Sequence, residues 1–180
     1  MHTQQSLFWV KRSDMLKIIE ELDQLDIGQI MTVCYETNLK YGADRYGNLS
    51  PNLQLLYAEQ DLYAYIEMFL ADDGTAYAVW APEGVYKAVL RVERYSDGLI
   101  ITGLETCLTD RQKGYATALL TAVILFLKEH FTGKVYSHIE KTNSASLRLH
   151  QKVGFTMVSD TATYIDGSFH SEAYTYCLII

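Results

Sequence analysis

The 180-residue sequence predicts a mixed α/β (α+β) fold: a mostly antiparallel sheet that contains one parallel strand pair, with helices packed on both faces. Two observations carry this. An apolar strand-like run (Leu99–Leu108), a long helical pattern (Lys113–Phe131) and a second strand (Val135–Glu140) follow one another, and a strand–helix–strand unit pairs its strands in parallel. The other strand-like runs are joined by short turns at Glu83-Gly84 and Ser96-Asp97-Gly98, as antiparallel neighbours are.

The elements follow in order. A strand or lead-in is expected around Leu7–Val10. Ser13 can cap a helix carrying Met15, Ile18, Ile19, Leu22 and Leu25 on one face. Ile27, Ile30, Met31, Cys34 and Tyr35 repeat the pattern in a second helix. Tyr41–Asn52 is rich in Gly, Asp, Asn and Pro and reads as a loop. A third helix covers about Glu59–Leu70. Strands follow at Thr75–Pro82, Val85–Tyr95 and Leu99–Leu108. The helix from Lys113 places Ala116, Leu119, Leu120, Val123, Ile124 and Leu127 at helical spacing, and Gly133 is placed to end it. Then come a strand at Val135–Glu140, a helix at Ser144–Lys152, a strand at Phe155–Ser159, a turn at Asp166-Gly167 and a last strand over Glu172–Ile180.

Length suits one domain over residues 1–180, with N-terminal helices at about 13–70 and a core at about 75–160. A net charge of −7 argues against nucleic acid or an anionic membrane as the main partner, and suits an amine no better than it suits plain solubility. Cys34, Cys107 and Cys177 are odd in number and widely spaced, as reduced thiols of a cytoplasmic protein are. No signal peptide is expected from the first residues, and Ala116–Leu127 is too short to span a bilayer.

Arg111-Gln112-Lys113-Gly114-Tyr115-Ala116 stands at the strand-to-helix junction. Glycine there lets the backbone approach a ligand closely. The first helical amides lack intrahelical acceptors, the helix end is partly positive, and Arg111 and Lys113 add full charges. The result is a ready site for a pyrophosphate.

The hexapeptide resembles the R/Q-x-x-G-x-G/A acyl-CoA-binding motif of the GNAT superfamily of acetyltransferases, with Arg111, Gly114 and Ala116 at its fixed positions. Downstream, Asn143-Ser144-Ala145-Ser146-Leu147-Arg148-Leu149-His150-Gln151-Lys152-Val153-Gly154-Phe155 resembles the family segment N-x-x-[AS]-x-x-L-Y-x-K-x-G-F. The resemblance covers Thr75 to Ile180 well and the first seventy residues loosely. It implies a parallel pair that splays at the centre of the sheet, an acyl-CoA-binding core, and acetyl-CoA as co-substrate without a metal. The implied cofactor contacts are Leu104, Glu105 and Thr106 on the strand before the motif, then Arg111, Gln112, Lys113, Gly114, Tyr115, Ala116 and Thr117, then Asn143 and Ser146.

The reaction implied is acyl transfer to an amine. An ammonium of the lysine type has a pKa of roughly 10.4, so a base must take its proton near neutrality. The attacked carbonyl oxygen gains charge and wants a fixed N–H donor, which the family takes from the strand at Leu104–Thr106. His150 stands where the family usually has a tyrosine acid, seven residues after Asn143 and so on nearly the same helical face, at the edge of the buried arc. It is read either as the acid that protonates the thiolate or as a packing histidine. His138, on the strand before Asn143, is a second candidate and could deprotonate the amine; an exposed strand position is its bland alternative. Glu105, beside the carbonyl-binding backbone, is a third, and a base acting through water is a further route.

The family binds its acceptor between the N-terminal helices and the loop joining the last strands, here Tyr41–Asn52 and Asp160–Ser171, with Tyr41, Tyr46 and Tyr164 in or beside them. The expected function is N-acetylation of a small amine. Acetylation of a peptide or protein amine, or acyl-CoA binding without turnover as a sensor, are the alternatives. A homodimer is compatible with the resemblance.

Overall fold

The structure, a computed structural model, describes residues 15–180. Its elements are β1 (Leu16–Ile19), α1 (Ile27–Val33), α2 (Tyr35–Arg45), α3 (Pro51–Ala71), β2 (Ala76–Trp80), β3 (Ala88–Tyr95), β4 (Gly98–Thr106), α4 (Tyr115–His130), β5 (Lys134–Glu140), α5 (Ser144–Val153), β6 (Thr156–Ser159), β7 (Ala162–Thr163), β8 (Phe169–His170) and β9 (Ala173–Ile179). Seven strands form one sheet in the order β1-β2-β3-β4-β5-β9-β6, and β7-β8 is a separate hairpin. Neighbouring strands of the sheet are antiparallel except β4 and β5.

Helices cover both faces, as expected. On one face Leu119, Leu120, Val123, Ile124 and Leu127 of α4 bury themselves against Leu90, Leu99, Ile101, Val135 and Ile139, with Leu147, Leu149 and Val153 of α5 alongside. On the other face Ile30 and Val33 of α1 and Ile66 and Phe69 of α3 pack on Tyr77, Val79 and Val89. Each fully buried Leu or Ile contributes about 1.5–3 kcal/mol, so α4, with six buried side chains, anchors the sheet beneath the glycine motif.

Three expectations are corrected. Residues 15–25 are not a helix: Leu16–Ile19 is an edge strand paired with β2, followed by a single 3₁₀ turn at Leu22–Gln24. Leu16 and Ile18 face one core and Ile19 the other, and a short run apolar on both faces carries no period that separates strand from helix. Tyr41–Asn52 is not a loop: α2 runs to Arg45 and α3 starts at Pro51, leaving a connection of five residues, 46–50. Gly42 does not break α2. A Cβ there would lie 2.5 Å from the Gln54 carbonyl oxygen, so the glycine lets α2 and α3 approach closely. Pro51 opens α3 at a position where its missing N–H costs nothing. The third helix is therefore longer than the predicted Glu59–Leu70. The β7-β8 hairpin interrupts the segment before β9. The expected lead-in at Leu7–Val10 and the Ser13 cap lie outside the described residues. No helix among the described residues is long and apolar enough to cross a membrane.

Candidate functional site

β4 and β5 pair only at Gly98↔Lys134, Leu99↔Val135 and Ile100↔Tyr136. Beyond Ile100, β4 continues to Thr106 on its β3 partner and β5 to Glu140 on its β9 partner. Between them the parallel ladder stops, and the inward backbone groups of both strands line an opening. The splay implied by the family resemblance is present.

Its cause is visible in the β3–β4 register. Thr102 pairs with Arg91 and Glu105 with Val89, so Gly103 and Leu104 together stand opposite Leu90. This is a bulge, and Gly103 sits in it at φ 58°, in the left-handed region that glycine tolerates. One extra residue reverses the alternation of side chains. Leu99 and Ile101 face α4 before the bulge, and Leu104 faces α4 after it. Glu105 and Cys107 are thereby turned to the face of α1 and α3, where Cys107 joins that core. Without the bulge Glu105 would point into the α4 core.

His138 is on that same face, because Val135 and Ile139 of β5 turn toward α4. Glu105 and His138 thus occupy the two lips of the opening on one side of the sheet. The Thr37 hydroxyl of α2 donates to Glu105 at 2.8 Å. Burial pushes the Glu105 carboxyl up, against the Thr37 hydrogen bond, the charge of Arg91, the nearby Cys34 thiol and the charge of Arg111. Burial, reinforced by the Glu105 charge, pushes Cys34 up to about 12, so it stays a thiol. Neither ring nitrogen of His138 has a hydrogen-bond partner; Tyr95 and Tyr164 meet the ring edge-on at 5.2 and 5.1 Å, and burial lowers its pKa.

The glycine-containing loop that ends at α4 follows β4. Gln112 (φ 62°) and Gly114 (φ 84°) are both left-handed, and Gly114 is the N-cap of α4. The first helical bond runs from the Ala118 amide to the Gly114 carbonyl, so the amides of Tyr115, Ala116 and Thr117 lack intrahelical acceptors. No atom lies within 4 Å of where a Gly114 Cβ would be, which leaves the loop open to close approach. Tyr115 packs its ring toward the α4 core. Buried Asp110 pins the loop from below, accepting from Lys113 Nζ at 2.7 Å and Lys87 Nζ at 2.8 Å. Both lysines hold its carboxyl below the usual range, Lys113 most. Arg111 is ion-paired with Glu36 of α2. A groove of about 530 Å³ opens at Gly114 and runs past Thr117, Thr121 and Leu125 to Lys152 of α5.

On α5, Asn143 caps the helix by accepting from the Ser146 amide at 3.0 Å. His150 is not at the edge of a pocket. It is 1% exposed, against Phe155, with Nδ1 2.9 Å from the Ser146 carbonyl oxygen and 3.3 Å from the Ser146 hydroxyl. Since a carbonyl only accepts, Nδ1 carries the hydrogen and Nε2, which has no partner, carries the lone pair of the neutral ring. Burial lowers the His150 pKa.

The structure therefore gathers Arg111–Thr117 into one loop with three helix-start amides free of intrahelical acceptors, and places Leu104–Thr106 and His138 along one opening. His150 lies in the core on the α4 side of the sheet. Tyr41 and Tyr46 donate to Asp61 within the α2–α3 pair, whereas Tyr164 reaches His138. Thr37, Cys34, Arg91 and Glu36 were not among the expected site residues. Gly103 inside a strand pattern was the available signal for the bulge.

The family model described as the acetyltransferase (GNAT) domain matches residues 43–156. No curated protein matches the chain. Among solved structures, an N-acetyltransferase of Staphylococcus aureus Mu50 is 17% identical with a TM-score of 0.58, over 91% of this chain and 98% of that one. The PaiA N-acetyltransferase of Thermoplasma acidophilum, solved with coenzyme A, is 12% identical with a TM-score of 0.58, over 92% and 99%. The ribosomal-protein-S18-alanine N-acetyltransferase of Escherichia coli is 18% identical with a TM-score of 0.50, over 63% and 76%. At these identities the likeness is one of fold.

Proposed function

The chain belongs to the GNAT acetyltransferase family, and from that premise we propose that it moves an acetyl group from acetyl-CoA to a primary amine of a small molecule in the cytoplasm. The observation that carries this reading is the open β4–β5 pair with Glu105 and His138 on its two lips and the anion-binding loop at its end.

The residues present suit acetyl-CoA as co-substrate. Amides of Tyr115, Ala116 and Thr117, with Gln112 and Lys113 in the loop, receive the pyrophosphate, and Arg111 turns to it from Glu36. Asn143 and Ser146 flank the arm at the start of α5. Acetyl-CoA supplies the activated thioester. An inward N–H of Leu104–Thr106 faces the carbonyl oxygen and stabilises the charge that grows there. Glu105 takes the proton from the ammonium, and a carboxyl raised by burial is a better-matched base for this than an ordinary one. His138 can take the proton in its place through the ring nitrogen that carries the lone pair of the neutral imidazole. The departing thiolate needs a proton. His150 can give one from Nε2 only as imidazolium, because Nδ1 is engaged by Ser146.

The burial of His150, where the family usually has its acid, favours a second reading: an acyl-CoA-binding module without turnover. One experiment separates them. Acetyl-CoA is incubated with the protein and a panel of primary amines and free N-terminal peptides, and released thiol is measured. Amine-dependent thiol release supports the enzyme, and the amine that drives it separates small-molecule from peptide acceptors. Tight binding with an intact thioester across the panel removes the enzyme reading.

A further inference from the structure

The bulge that exposes Glu105 also makes room for a cation that the reaction above does not use. Arg91 of β3 lies directly across the ladder from Thr102, and Val89, two residues earlier, lies across from Glu105. Arg91 and Glu105 are therefore on the same face of the sheet, either side of Gly103. A Cβ on Gly103 would lie 2.8–3.0 Å from Nη2, Nε and Cζ of Arg91, so the guanidinium occupies the space a side chain at 103 would take. It is held from the other side by rings of α3, with Cζ 4.7 Å from the Tyr65 centroid and 5.9 Å from that of Phe69. Its Nε is buried without a hydrogen-bond partner. A buried cation is costly unless it is compensated. Here the compensation comes from the aromatic faces and from two half-buried carboxylates, Glu93 and Glu105.

We infer that Arg91 is a positioning residue for the acceptor-side base: seated under the Gly103 bulge, its guanidinium keeps Glu105 in the carboxylate form at the opening between β4 and β5. This rests on Glu105 acting as the base. The charged and titratable groups facing this pair are Cys34 from the α1–α2 junction, Arg111 from the phosphate loop, Tyr65 from α3, Tyr77 from β2 and Glu93 from β3. Cys34 and Tyr77 are both pushed up to about 12 and stay neutral, and Tyr65 is shifted the same way. Glu93 shares the Arg91 charge, which works against the burial that raises its own carboxyl. Arg111 assists it only while its charge is free. Once a pyrophosphate engages Arg111, Arg91 still acts on Glu105 from the described part of the chain. The base is thus held ready by a residue that cofactor binding does not neutralise.

The test is a pH titration of the Glu105 side-chain carbon by ¹³C NMR, with the resonance identified by its loss in E105Q, for the protein alone and with coenzyme A. R91M is expected to raise the Glu105 midpoint about one unit, a tenfold gain in proton affinity, and to raise it further with coenzyme A bound. R91K, which keeps the charge, stays near wild type. Y65L removes the ring but not the charge; it shifts the midpoint the same way by less, and reports should R91M fail to fold. The acid limb of kcat for an active amine moves in parallel. An unmoved midpoint in a folded R91M, or in Y65L where R91M does not fold, overturns the inference. Wild-type turnover in E105Q overturns the assignment of the base instead, and the two failures are read on separate variants.

Discussion

Arg111 is ion-paired with Glu36, so the guanidinium nearest the phosphate loop is held by α2. A pyrophosphate at Gly114 must compete with that carboxylate. Both side chains are about half exposed, and pairs of this kind contribute about 0.2–1 kcal/mol. E36Q is therefore expected to bind acetyl-CoA up to about fivefold more tightly, with a gain that shrinks as salt is added. Calorimetric titration at two ionic strengths checks this.

Gly114→Ala is expected to cost about 1 kcal/mol of stability through the backbone alone, because φ is 84° and the added Cβ meets no protein atom. Its larger effect falls on the ligand, whose closest approach to the loop the methyl group fills. Weaker coenzyme A binding with only a small drop in Tm is the expected pair of results.

E105Q is expected to lower kcat by about 10²–10⁴ if amine deprotonation limits the rate. It also has a stability signature. The folded chain holds a proton on Glu105 more readily than the unfolded chain, since burial raises this carboxyl. Stability linked to it is present at low pH and is lost as pH rises through the raised value. Above the raised value the wild type carries the penalty and E105Q does not, so E105Q gains in melting temperature relative to wild type as pH rises. The difference fades below the ordinary carboxylate value of 4.5. Melting curves at pH 4 and pH 7 are the measurement.

His150 has the opposite sign. Its pKa is depressed, so the linked stability is complete above 6.5 and declines as pH falls through the values between the unfolded and folded chain. As an acid it is present in the donor form only toward low pH, and kcat by this route falls as pH rises. H150Y introduces a phenol with a pKa near 10, protonated across that range. It is expected to sustain turnover at pH 8 at a packing cost of about 1–3 kcal/mol in a site that is 1% exposed. A pH profile of kcat for wild type, H150Y and H150F decides whether position 150 donates at all.

The parts of this protein that are local in the chain were legible in its sequence. The Gly114 start of α4 and the Asn143 cap of α5 are set by a glycine, an asparagine and the first turn of a helix, and both lie where their residues indicate. Parts that depend on pairing were not. Glu105 meets Thr37 across 68 residues, and no pattern near either announces the other. Leu16–Ile19 reads equally as helix or strand until β2 is beside it. Gly42 and Pro51 look like loop residues, yet one permits a close helix crossing and the other starts a helix. The helical wheel puts His150 at the edge of the buried arc, and packing against Phe155 takes it inside.

The bulge at Gly103 gives this stretch an unusual tolerance profile. Between Thr102 and Glu105 the strand carries one residue more than β3 opposite it, and that extra residue sets which of the two helix-covered faces each side chain meets as far as Cys107. Point changes at Leu104 or Thr106 alter single contacts. Loss of Gly103 would leave Leu104 opposite Leu90 and Glu105 opposite Val89, each on its present face, and straighten the strand between them. Because β4 carries one residue more than β3 at this point, a deletion scan across 101–106 should be mildest at Gly103, where the ladder from Glu105 onward keeps its register, even though the bend that opens the strand pair is lost.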